Sequence, residues 1–206
     1  MMGKTHVRLG VASALALAQP ASIPSVIAAI IGGAVGGWIV DIDCRKGSHR
    51  RYSVDGEDIK DAVKNAVVIG IFILVDFILG NGICQYISEH REGKVWAGGI
   101  SLLVLLLLGY LSAHRTFTHS LLGMALFSGA VYYFCQPVVI PFAAGYASHL
   151  VADFLNKVGI QLFYPLQWRM CLKLCSADKT VNAILGWIAL AADVLLGVFF
   201  LLSAMR

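Results

Sequence analysis

Seven imidazole and carboxylate side chains fall in four short motifs whose spacing suits metal ligation: His6, the pair Asp41 and Asp43 in "DID", His114 and His119 in "HRTFTH", and His149 and Asp153 in "HLVAD". Residues four apart on a helix differ by about 40° at 3.6 residues per turn, so His149 and Asp153 project from one face. Two ligands at i and i+4 are the arrangement that H-E-x-x-H also uses. "DID" places two carboxylates at a helix end, where both can turn toward one or two cations. His114 and His119 lie about 140° apart on a helix and share a face only if the helix begins between them, with Thr118 as the expected N-cap. Imidazole with carboxylate favours zinc first, then manganese or iron, over magnesium or calcium. Seven candidates exceed the ligands of one tetrahedral ion, which points to two ions or to one ion with a full surrounding shell. Two cations complete the set. Arg115, near an expected helix N-terminus, suits an anionic group such as a phosphoryl oxygen, because guanidinium and helix dipole act together. Arg169, in "YPLQWR", is a second substrate-binding candidate.

The elements that must position these residues are membrane helices. Of 206 residues, 58% are hydrophobic and only 14% charged, and the mean hydropathy is +0.77. A soluble chain carries about a quarter charged residues. "VWAGGISLLVLLLLGYLSA" (95–113) and "VNAILGWIALAADVLLGVFFLLSAM" (181–205) are near or above the length of about 20 residues that crosses a hydrocarbon core. Residues 67–80 and 120–134 form shorter spans. "VRLGVASALALA" is read as a retained helix and not a cleaved signal, since a second apolar stretch follows at once across "QPASIP". The parse gives helices at about 5–18, 22–39, 64–80, 95–113, 119–135, 141–156 and 181–204, with prolines in the turns. The expected fold is therefore all-α: one integral membrane domain over 1–206, with about five to seven transmembrane or partly inserted helices.

Tight turns at 19–23 and 136–140 fold the first two and the fifth and sixth helices into hairpins. His6 is thereby brought near Asp41 and Asp43, and His114 and His119 near His149 and Asp153. All four motifs then meet at one membrane face. Of the 16 Lys and Arg residues, only Arg91, Lys94 and Arg206 fall on the opposite side of this parse. The positive-inside rule makes the cluster's face cytoplasmic. The net charge of +4 belongs to that face and suits anionic headgroups of the lipid bilayer, with no nucleic acid required. His49 and His90 read as solvated loop residues. Asp76 and Asp193, inside apolar helices, are expected to be buried and partnered away from the cluster. The five cysteines have no C-x-x-C pair and read as reduced, small apolar residues.

The motifs "GKTH", "VDIDCRKGSHRR", "AHRTFTHSLLG" and "GYASHLVADFLNKVGIQLFYPLQW" resemble those of the YdjM-like family of bacterial inner-membrane, metal-dependent hydrolases. The resemblance covers residues 3 to about 169. It implies a multi-pass inner-membrane location and a hydrolase activity. Two positions depart from the family pattern: Val40 stands where Pro usually precedes the first Asp, and Thr116 where Gly usually follows "HR". Neither removes a candidate ligand.

The function expected is hydrolysis by a metal-activated water at the cytoplasmic interface, acting on a phosphoester or lipid-type ester. His6, Asp41, His119, His149 and Asp153 would hold the metal, with Asp43 and His114 as further ligands or supporting groups and, with Arg115, as catalytic candidates. The alternative is a metal or proton transporter or sensor built on the same residues. Ligands at one face and not at the bilayer midplane favour the enzyme.

Overall fold

The computed structural model describes residues 3–43, 89, 93–174 and 179–205. The expected helix at 64–80 with Asp76, the loop histidines His49 and His90, and Cys44, Cys84 and Cys175 lie outside the described residues. Within them the chain is helical: α1 (Gly3–Ala18), α2 (Ile23–Ile39), a 3-10 turn (Val40–Asp43), α3 (Gly93–Leu111), α4 (Leu121–Phe134), a 3-10 turn (Gln136–Val138), α5 (Val139–Phe154) and α6 (Lys179–Ala204). No strand occurs among the described residues, only an isolated antiparallel bridge between Ile160 and Met170.

Local chemistry explains where the helices begin. Ser22 caps α2 through a reciprocal box with Ser25, and Pro24 occupies the first turn, where a missing N–H costs nothing. α4 starts two residues later than expected. Its cap is Ser120, whose hydroxyl accepts from Gly123 N at 3.0 Å, and not Thr118. Ser120→Ala is expected to cost about 1 kcal/mol, read as a lowered Tm in detergent with unchanged metal content.

Among the described residues, three helices are long and apolar enough to cross a membrane: Ile23–Asp43 (α2 with its 3-10 turn), Gly93–Leu111 and Ala183–Ala204. α4 is apolar but shorter. α1 and α5 have 16 residues each, about 24 Å of helix. Both are shorter than a full span. α2 packs against α1 and α5, α1 also against α5 and α6, and α3 against α4. α3 and α6 turn large side chains such as Leu103, Leu107, Leu195 and Phe199 outward, as lipid-facing helices do.

The contact between α1, α2 and α5 is glycine-mediated. Gly32, Gly33, Gly36 and Gly37 of α2 face Gly10 of α1 and Gly145 and Phe142 of α5. Small residues permit this approach, and in lipid such packing is a main source of helix association. On the other flank the core is apolar, with Phe127, Phe142, Tyr146 and Ile160 fully buried.

Candidate metal centre

The close approach of α1 and α2 brings the start of one beside the end of the other. His6 and Asp43 are buried, and Asp41 is 22% exposed. α5 lies across both and buries His149 and Asp153 one helical turn apart. The loop 112–120 between α3 and α4 closes the fourth side and buries His119. The four motifs converge as the sequence predicts, and the inner donors come from α2's terminal turn, the loop and α5.

His119 Nε2 is 3.5 Å from Asp41 Oδ1 and 3.3 Å from Asp153 Oδ2. His149 Nε2 is 3.5 Å from Asp41 Oδ1 and 3.8 Å from Asp153 Oδ2. These separations are long for hydrogen bonds. They match what ligands around one ion require: donors about 2.0–2.1 Å from a tetrahedral zinc sit about 3.3–3.4 Å from one another. His119 Nε2 and His149 Nε2, with His6 Nδ1, are buried without a hydrogen bond. An unmet buried polar atom costs about 1–3 kcal/mol, and two such nitrogens facing two carboxylates can be satisfied by a shared proton or by a cation between them.

The supporting bonds set the tautomers accordingly. His149 Nδ1 lies 2.8 Å from the carbonyl of Gly37 and donates to it, so in the neutral ring the lone pair is on Nε2. His119 Nδ1 lies 3.4 Å from Asp43 Oδ2 and 3.2 Å from Thr118 Oγ1, again turning Nε2 inward. His6 stacks on His149, with ring centroids 3.7 Å apart, and its Nε2 is 3.6 Å from Asp153 Oδ1.

The two carboxylates of "DID" separate in role because they sit on a 3-10 turn. Two residues at about 120° each point apart. Asp41 faces the imidazoles. Asp43 instead organises the loop, accepting from Arg115 N at 3.0 Å and Thr118 Oγ1 at 2.8 Å while its Oδ1 lies 2.9 Å from His114 Nδ1. His114, 39% exposed, stands at the mouth. Donor atoms of Asp41, Asp43, His114 and His119 lie within 4.8 Å of one another, as do those of His6, His149 and Asp153. One ion or two can be accommodated by these neighbouring sets.

Arg115 stands two residues further from the start of α4 than expected. It adopts a left-handed backbone (φ 66°), six residues before α4 begins. Its Nη1 donates to Val158 O at 2.6 Å, its carbonyl accepts from Gln161 N at 3.1 Å, and its Nη2 is 3.8 Å from Asp153 Oδ2. It ties the loop to the segment after α5 and lends positive charge to Asp153. Arg169 is exposed on that same segment, outside the cluster. Asp193 is in α6, away from the cluster as expected, but its buried Oδ1 makes no hydrogen bond.

Two supporting groups escaped the sequence reading. One is the Gly37 carbonyl, for which residue type gives no signal. The other is Tyr146, whose hydroxyl donates to Thr118 O and fixes the loop. Its position three before His149 placed it on the same helix face and was the available clue.

Burial by itself disfavours a charged imidazole at His119, but the carboxylates of Asp153, Asp41 and Asp43 outweigh it and raise its pKa from 6.5 to about 10. In metal-free protein the imidazolium's stabilisation is fully present below the unfolded value of 6.5 and is lost as pH rises through about 10. Chelator-treated protein is therefore expected to lose Tm across that window. A Tm that stays flat there would contradict the charged state of His119.

An all-helical integral membrane protein with a buried histidine–aspartate centre at one end of its bundle is the class that fold and site define. The chain belongs to the YdjM inner membrane protein family, whose model matches residues 1–205. It is similar to the inner membrane protein YdjM of Escherichia coli (strain K12) and to that of Shigella flexneri. Each is 38% identical over 74 residues, covering 32% of this chain and 37% of the relative. The aligned stretch thus spans little more than a third of those curated relatives. No solved structure matches.

Proposed function

We propose that the chain is a membrane-bound, metal-dependent hydrolase whose centre faces the cytoplasm and acts on a phosphoester or lipid-type ester. The observation that carries this reading is the meeting of Asp41, His119, His149 and Asp153 at ligand-to-ligand separations of 3.3–3.8 Å, with both imidazole Nε2 atoms buried and without hydrogen bonds. Those four residues would hold a zinc, manganese or iron ion, and His6 would extend the set toward a second. A divalent cation there would supply Lewis acidity and lower the pKa of water from 15.7 to about 7.

The chain's own residues divide the remaining work. Asp43 orients His114 through the 2.9 Å contact at Nδ1, and Arg115 Nε donates to its Nε2 at 3.4 Å, so the ring at the mouth would exchange a proton at Nε2 when that long bond to Arg115 opens. Arg115 positions Asp153 and the loop. The cytoplasmic orientation is supported by the basic residues at the cluster's end of the bundle, Lys4, Arg8, Lys157, Arg169 and Lys173, against Lys94 at the far end of α3. Location at one end, where His114 and Asp41 reach solvent, is what favours an enzyme over a transport path.

The test is hydrolysis of phosphoester and lipid-ester substrates by detergent-purified protein, with and without chelation and metal add-back. Activity is expected to vanish on chelation and return with metal. His114→Gln is expected to lower kcat by about 10²–10⁴-fold with metal content unchanged. Wild type that holds no metal after gentle purification and add-back would end the hydrolase reading.

A further inference from the structure

Residues 155–174, which follow α5, are neither helix nor loose loop. Ile160 and Met170 pair through two backbone hydrogen bonds of 3.1 and 2.9 Å, and Leu172 N donates to Phe154 O at 2.8 Å. Leu162 O accepts from Leu121 N at 3.0 Å and Gln161 N donates to Arg115 O at 3.1 Å, which fastens the hairpin to the loop that carries His114 and His119. Ile160 is fully buried beneath it. Yet this anchored hairpin exposes Phe163, Tyr164, Leu166, Trp168, Leu172 and Leu174, the tryptophan at 70% and Leu174 at 71%. Residues 157–174 also hold Lys157, Arg169 and Lys173 and no acidic residue.

We infer that this hairpin lies in the headgroup layer of the leaflet next to the metal centre and gathers anionic lipid headgroups there. Three features favour that partner. The hairpin is bonded to Arg115, just after α3, and to Leu121, at the start of α4, so its exposed apolar side chains lie at the ends of apolar helices. Tryptophan and tyrosine with flanking lysine and arginine are the residues that occupy a membrane–water interface. Cations in a segment that carries no acidic residue of its own attract anionic headgroups with about 1 kcal/mol for each, or about fivefold in local concentration. The inference deepens the hydrolase reading, on which it rests for its functional meaning: the substrate would be a lipid already enriched at the mouth.

The experiment uses the full chain with Trp38, Trp96 and Trp187 changed to Phe, reconstituted in mixed phosphatidylglycerol–phosphatidylcholine vesicles. Quenching of Trp168 is compared when only the anionic lipid, or only the neutral lipid, carries bromine in its upper acyl chain, and with iodide in the water. Strong quenching by brominated lipid, little by iodide, and stronger quenching from phosphatidylglycerol is expected. R169Q with K173Q is expected to remove the preference and not the depth. If the triple variant does not fold, the difference in quenching between the intact chain and Trp168→Phe reads the same quantity. Free access of iodide with no lipid quenching overturns the placement, and equal quenching by both lipids overturns the headgroup selectivity. None of these readouts involves metal, so failure here is separable from failure of the hydrolase reading.

Discussion

Asp153→Asn is expected to abolish retained metal in purified protein while leaving the helical fold in place. The residue is the hub of the centre: its carboxylate lies 3.3 Å from His119, 3.6 Å from His6, and 3.8 Å from both His149 and Arg115. Losing a group that merely supports a ligand costs metal proteins about 10–100-fold in affinity, so losing this one should exceed about 100-fold. Asparagine keeps the side chain's size and a carbonyl oxygen, which makes a change in charge and not in packing the cause. Asp43→Asn serves as the comparison. Asp43 is occupied by His114, Arg115 and Thr118, and its variant should weaken metal by no more than the supporting-group range. Elemental analysis beside wild type decides. Equal metal in wild type and Asp153→Asn would show that the ion, if present, sits elsewhere.

Gly37→Ala is the second large effect expected. A Cβ at this position would stand 2.6 Å from His6 O and 3.4 Å from Gly10 Cα, closer to the carbonyl than any carbon tolerates, and the obstruction is backbone. α1 must back away from α2. Overpacking of this kind costs about 1–3 kcal/mol, and here it also displaces His6 and the carbonyl that fixes His149 Nδ1. Loss of stability and loss of metal should therefore appear together. Gly129→Ala and Gly197→Ala are the controls. A Cβ at either meets nothing within 4 Å, and alanine in a helix should raise stability by about 0.5–1 kcal/mol. Thermal unfolding in detergent with parallel metal analysis separates the two classes. A Gly37→Ala protein as stable as the controls would mean that the α1–α2 contact is looser than described.

The helices were legible because a membrane span is a compositional signal: an apolar run of sufficient length has few other readings. The convergence of the cluster was legible for a different reason. Two short turns make hairpins, and a hairpin fixes which helix ends are neighbours. That logic places His6 beside the "DID" pair and His119 beside His149. What hydropathy does not carry is the course of polar and irregular backbone. Thr118 and Ser120 are both good caps by type, and the choice fell to Ser120 because Asp43, distant in sequence, takes the Thr118 hydroxyl. The division of labour between Asp41 and Asp43 followed from a 3-10 turn that no periodicity announces. Arg115 is tied to Val158 and Gln161, residues in a segment with no helical or strand period.

The centre is assembled from the beginning, the middle and the later part of the chain, and this bears on its biogenesis. Chains emerge from the ribosome N-terminus first, so His6, Asp41 and Asp43 reach the membrane well before His149 and Asp153. Until α5 is synthesised and docked, the growing chain offers Asp41, Asp43 and the imidazoles of His6, His114 and His119 but not the full quartet. Loading would then be a late event that reports completed tertiary assembly. Nascent chains arrested before Val139 should insert into inverted membrane vesicles yet surrender radioactive zinc to a chelator, and released full-length chains should keep it. Retention by the arrested chains would place the first binding step on the donors that precede α5, among them Asp41, Asp43, His114 and His119.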